Sequence, residues 1–148
     1  TNVALDRGVT ASSHVIGWEP TGLTNGSRES GAWTSAINRH PTADHGEEWV
    51  LIDLAYAYDI DKVVLFGRSG DDYFPYKFRI EVSEDGKNYQ NVFEGECPEK
   101  RQGQQPFECK LENVKARYVR IVGYSLRDQA GFNDGHLFSL CEVEIYNK

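Results

Sequence analysis

Residues 76–92 read YKFRIEVSEDGKNYQNV. Tyr76, Phe78, Ile80 and Val82 alternate with Lys77, Arg79 and Glu81, which sets the apolar side chains on one face of a strand and the charged ones on the other. The run breaks at Ser83-Glu84-Asp85-Gly86, where Asp-Gly supplies the positive backbone angles of a hairpin turn, and Tyr89, Val92 and Phe93 open a partner strand. The stretch therefore predicts a β-hairpin with one buried and one wet face.

The same alternation recurs on either side of it. Val50, Ile52 and Leu54 alternate with Trp49, Leu51 and Asp53; further sets are Phe107, Cys109 and Leu111, then Val119 and Ile121, then Cys141, Val143 and Ile145. Residues 60–66 hold four consecutive apolar side chains from Val63, the pattern of a strand covered on both faces. No segment sustains a helical period. Long polar or glycine-bearing loops separate the strands at 12–47, 67–75, 94–106 and 123–138. The expected fold is all-β, an antiparallel sandwich or jelly roll with its loops gathered at two ends.

Loops this long point to function. Trp18, Trp33, Tyr73, Phe74, Tyr124, Phe132 and Phe138 lie in them or beside them, and together they predict an exposed aromatic platform.

A chain of 148 residues with 39% hydrophobic content builds one core, so a single domain spanning 1–148 is expected, with no linker. A net charge of −7 and a pI near 5.1 disfavour nucleic acid and anionic membranes as partners. No apolar run approaches the ~20 residues needed to cross a bilayer. The start at Thr1 carries neither an initiating Met nor a signal peptide, as in a module cut from a larger protein. Cys97 and Cys109 bracket a polar segment and could pair if their strands are neighbours; Cys141 reads as a buried free thiol.

Catalytic apparatus is hard to find. GRSGDD, residues 67–72, lacks the G-x-S-x-G elbow, and no His is placed to partner a nucleophile. His40 and His45 with Asp44, Glu47 and Glu48 match no common zinc spacing. Asp71 and Asp72 read as solvated carboxylates or acceptors for ligand hydroxyls rather than an acid/base pair. Asn25-Gly26-Ser27 fits a glycosylation sequon, and the surrounding LTNGSRES is the oxygen-rich turn that can wrap a calcium ion.

In order along the chain come NVAL, VTASS, LTNG, AWTS, EWVLIDL, FPYKFRIEVSEDGKNY, ARYVRI and LCEVEIYN. This series resembles the discoidin family, the factor V/VIII type C domains, and most of all the bacterial family 32 carbohydrate-binding modules; LCEVEI is also similar to fucose-binding F-type lectins. The resemblance implies a jelly-roll β-sandwich with a structural Ca2+ and a shallow sugar site at one end. The calcium loop of relatives begins Asp-Gly-Asn and is completed by a Glu of the last strand. The matching positions here are Asn25, Gly26 and Ser27, with Ser30 near the usual Thr and Glu142 at the end. Asn25 removes one negative charge, which should weaken the ion. For the sugar, the resemblance implies His40, Arg68, Asp72 and one of Phe132 or His136, with Trp18 and Glu19 from the early loop and Asp71 and Tyr73 beside Arg68. Charged groups would bind adjacent hydroxyls while an aromatic face covers the C–H patch of the ring.

The implied function is a non-catalytic module that recognises terminal sugars, galactose or N-acetylgalactosamine first and fucose second. It would be monomeric, linked in cis to a glycoside hydrolase of a secreted or cell-surface bacterial protein, with glycans as its partners and no nucleic acid or membrane. The alternative is an adhesion or membrane-docking discoidin domain that binds protein or lipid through loop aromatics such as Trp18 and Phe132. An enzyme using this fold alone is a third reading.

Overall fold

The computed structural model describes residues 1–28, 32–39, 47–68, 73–98, 105–128 and 135–148. Along the chain these form β1 (Gly8–Ala11), a 3-10 turn at Pro20–Thr24, β2 (Trp33–Thr34), β3 (Asn38–Arg39), β4 (Glu48–Phe66), β5 (Lys77–Ser83), β6 (Gln90–Glu96), β7 (Pro106–Ser125), β8 (Arg127–Asp128), β9 (Gly135–Leu137), β10 (Ser139–Leu140) and β11 (Glu142–Asn147). Every strand pairing is antiparallel.

The two long strands make the sandwich, because each serves both layers. The first half of β4 pairs with β1 and with the second half of β7, which continues to β5 and β6. The second half of β4 pairs with β11 and with the first half of β7. Between the halves the ladder breaks from Asp53 to Tyr58. At that corner Ala55 takes a left-handed φ of 70°, and the Asp53 carboxylate accepts its N–H at 2.9 Å. A bulge of this kind bends a strand sharply enough to redirect it.

The inward face follows the alternation. Val50, Ile52, Leu54, Phe78, Ile80, Val119, Ile121, Val143 and Ile145 are fully buried in one cluster. Val63 and Leu65 join it, whereas Val64 and Phe66 point the other way into a second cluster, so the doubly covered strand predicted at 60–66 is present. Cys141 belongs to that second cluster and not to the face of Val143 and Ile145, because it precedes β11. It is buried and in no disulfide, and its Sγ donates to the Arg28 carbonyl. Cys97 and Cys109 are likewise buried, with no disulfide between them.

The hairpin forms with two departures. Its connection runs from Ser83 to Gln90, longer than a two-residue turn. Gly86 alone supplies positive φ, while Asp85 accepts from the Lys87 and Asn88 N–H groups and the Ser83 hydroxyl. Those bonds hold the Asp85 carboxyl well below the usual range. Tyr76 falls outside β5 and is exposed, its ring covered by the Arg127 guanidinium rather than by the core.

Three of the seven aromatics expected to form an exposed platform, Trp33, Phe74 and Phe138, are buried instead. Trp33 and Phe138 are fully buried and meet edge-on at 5.0 Å, and Phe74 packs with Phe78 and Phe107. An aromatic in a loop next to an open sandwich end buries its large area by closing that end. Phe132 lies outside the described residues.

Candidate functional site

The Trp33–Phe138 plug is the floor on which one end of the sandwich is assembled. β2 and β10 pair across it, with Thr34 opposite Ser139 and Trp33 opposite Leu140. The Ser139 hydroxyl donates to the Trp33 carbonyl at 3.0 Å, and Ser139 N–H donates to the Tyr73 carbonyl at 3.1 Å. The early loop is stitched to the same strand. Val15 N–H donates to the Thr34 carbonyl at 2.9 Å and Thr34 N–H to the Trp18 carbonyl at 3.2 Å. The Trp33 indole N–H donates to the Ser13 carbonyl, and both Ser12 and Ser13 hydroxyls donate to Glu48.

Arg68 is set on this platform. Its Nη1 donates to Thr34 Oγ1 at 2.9 Å, and its guanidinium lies 4.0 Å from the centre of the Trp18 ring. Stacking on indole and a hydrogen bond to a hydroxyl fix the plane of the guanidinium. Trp18 stays 39% exposed although one face is covered, and Val15 and Ile16 beside it are exposed as well. Glu19 is exposed too; its own backbone N–H and that of Gly17 lower its carboxyl pKa, and the Gly17 bond is 3.3 Å long.

The structure thus brings Trp18, Glu19, Arg68 and Tyr73 to one end. His136 reaches the same region on β9, opposite Asn38 and Asp128, but is only 3% exposed, so its ring is part of the packed end. His40, Asp71, Asp72 and Phe132 lie outside the described residues. Thr34 and Ser139 were not foreseen as site residues. AWTS and LFSL contain them, yet nothing local marks a hydroxyl whose use depends on a pairing between distant strands.

The expected cation position has a distinct geometry. Glu142 is fully buried because the Asn25–Gly26 turn folds over β11. Its Oε2 accepts Gly26 N–H at 2.8 Å, while Oε1 is buried and has no hydrogen-bond partner among the described residues. Burial pushes its carboxyl up to about 7. Asn25 Oδ1 accepts Ser27 N–H at 2.8 Å, and Gly26 holds a φ of 84°. Ser30 lies outside the described residues. Among the described residues, a buried carboxylate oxygen without a hydrogen-bond partner beside a turn rich in oxygen donors fits a hard cation. The neighbouring Arg28 is turned away onto Glu144 at 3.0 Å.

The described strands form a two-layer antiparallel sandwich with a cation–π-braced arginine among its end loops. The particular family is defined by sequence: the chain belongs to the F5/8 type C domain family, whose profile matches residues 8–136. It is 28% identical over 118 residues to neuropilin-2 of Rattus norvegicus, a match that spans 70% of this chain and 12% of that protein. The fold is similar to chitosan-binding module 1 of a chitosanase/glucanase from Paenibacillus sp. IK-5, with a TM-score of 0.75, 24% identity and 99% of each chain covered. It is similar also to the module CpGH89CBM32-5 from Clostridium perfringens, in complex with GalNAc-β-1,3-galactose, with a TM-score of 0.75, 20% identity and 95% of each chain covered.

Proposed function

We propose that this chain is a non-catalytic carbohydrate-binding module that grips a terminal sugar at the Trp18–Arg68 end. The observation that carries the reading is Arg68 itself, braced by Thr34 and Trp18 so that its donors are aimed before any ligand arrives. Pre-organised donors lose little freedom on binding hydroxyls. Glu19 offers an acceptor nearby, and the uncovered part of Trp18 offers an apolar surface for ring C–H groups. Galactose or N-acetylgalactosamine is the first candidate, with fucose the second; the complex of the Clostridium perfringens module with GalNAc-β-1,3-galactose supports the first. The module would act in cis with a glycoside hydrolase of a secreted or surface-attached bacterial protein, where linked weak sites raise local substrate concentration.

We assign the structural cofactor of this reading to Ca2+ at the Asn25–Ser27 turn, with Glu142 Oε1 as its anionic ligand. When bound, the ion would neutralise a buried carboxylate and pin the turn to β11.

The test is a glycan array with the chain and its Arg68→Ala variant. Binding to terminal galactose, N-acetylgalactosamine or fucose that is lost in the variant supports the reading; a blank array from folded protein overturns it. One observation favours the adhesion alternative, namely Ile16, 92% exposed beside Trp18 at the same end. Retention on phosphatidylserine vesicles at moderate salt, against a net charge of −7, together with a blank array, would establish that alternative.

A further inference from the structure

A cleft of about 270 Å3 opens between β6 and the middle of β7, and Arg68 is not among the residues that line it. One wall is the start of β6, the outer strand of its layer, and the other is the middle of β7, where that strand pairs with β4 alone. Both walls are bulged. Opposite β5 the register jumps from Ile80–Phe93 to Glu81–Asn91, leaving Val92 over. Opposite β4 it jumps from Ile60–Val114 to Lys62–Lys110, and Asn113 takes a left-handed φ of 54°. Bulges of this kind splay strands and re-aim side chains, and they recur beside binding sites.

The contents of the cleft define a chemistry. Val82, Val92 and Val114 form an apolar floor, while Gln90, Glu112, Asn113 and Lys115 line the polar rim. Asn91 is spent on the wall: its amide donates to Glu94 at 2.6 Å and accepts from Phe93 N–H. Among the described residues, no side-chain hydrogen bond or ion pair engages Gln90, Glu112, Asn113 or Lys115. Amides both donate and accept, as hydroxyls do, and the charges of Glu112 and Lys115 sum to zero, which gives no net attraction for an ion of either sign. The volume lies just below the ~300–1,000 Å3 of drug-sized sites, which suits a single ring.

We propose that this cleft is a second ligand site, taking one neutral hydroxyl-bearing ring such as a saccharide unit. It stands independently of the Arg68 end. The cleft lies toward the Ser83 end of β5, whereas the Arg68 loop leads into the Lys77 end, so the two sites can engage separate residues of a glycan at once.

The experiment is a 15N NMR titration with galactose, N-acetylgalactosamine, fucose and, as a charged control, acetate. It uses the wild-type chain, Arg68→Ala, the double variant Gln90→Ala/Glu112→Ala, and Asn113→Gly, which deletes an amide but keeps the left-handed backbone. Expected are sugar-induced shifts at residues 82, 90–92 and 112–115 that persist in Arg68→Ala and require roughly tenfold more sugar in the double variant or in Asn113→Gly. The proposal is overturned if no sugar shifts these residues, if the cleft variants respond as wild type does, or if acetate alone perturbs them.

Discussion

Arg68 and Glu142 show how differently burial treats two ionisable residues. Arg68 is partly exposed and oriented by Thr34 and Trp18, so truncating it removes directed donors without opening the core. Arg68→Ala is therefore expected to weaken sugar binding at least tenfold while the thermal midpoint changes little, measured by calorimetric titration and by melting. Glu142 is the opposite case, buried with one oxygen unsatisfied. Desolvation raises its pKa from 4.5 to about 7, so the folded state holds a proton that the unfolded chain has released. Its contribution to stability is complete below about 4.5, declines as pH rises, and is gone above about 7. In chelator the melting temperature should fall across that window. Added Ca2+ should raise the midpoint at pH 7 and flatten the slope, and Glu142→Gln should lose both responses. An unchanged midpoint of the wild-type chain on adding Ca2+ would rule out the ion.

At the scale of elements, close approach between strands is bought by glycine at particular places. A Cβ on Gly95 of β6 would overlap the Phe78 ring, which is fully buried and meets Phe74, Phe93 and Phe107. Gly8 of β1 has open space where its Cβ would go. Gly95→Ala should then cost about 1–3 kcal/mol through forced displacement of the ring. Gly8→Ala should stay within about 0.5 kcal/mol. Urea unfolding of the two variants compares them directly, and equal midpoints would show that the Phe78 ring yields freely. The hairpin itself was readable because Phe78, Ile80 and Val82 alternate and Asp85-Gly86 interrupts them. Its longer connection was not, since the Asp85 bonds to Lys87 and Asn88 stabilise a turn that the dipeptide alone does not specify.

For the whole molecule, the decisive contact joins residues far apart in sequence. Trp33 and Phe138 plug the end on which the candidate site stands, and Thr34 and Ser139 are the neighbours they carry. Trp33→Ala should destabilise the chain by about 3–5 kcal/mol. It should also weaken sugar binding at temperatures where the variant remains folded, because Thr34 loses its support; Trp33→Phe should recover part of both. Loss of stability with unaltered affinity would mean that the end loops hold Arg68 without the plug.

The sequence by itself determined the strands, their inward faces, the hairpin and the family, because alternation is a local property that a pleated backbone reads two residues at a time. It also marked Arg68 and the Trp18 loop, since charged and aromatic residues outside the alternation have no strand face to occupy. Tertiary structure alone decided that Trp33, Phe74 and Phe138 are buried, that Thr34 bonds Arg68 and Ser139 bonds Trp33, and that Glu142 lies beneath the Asn25 turn. Burial of a loop side chain depends on what a distant segment lays over it, and one chain position carries no record of that neighbour until β4 and β7 have bent from one layer into the other.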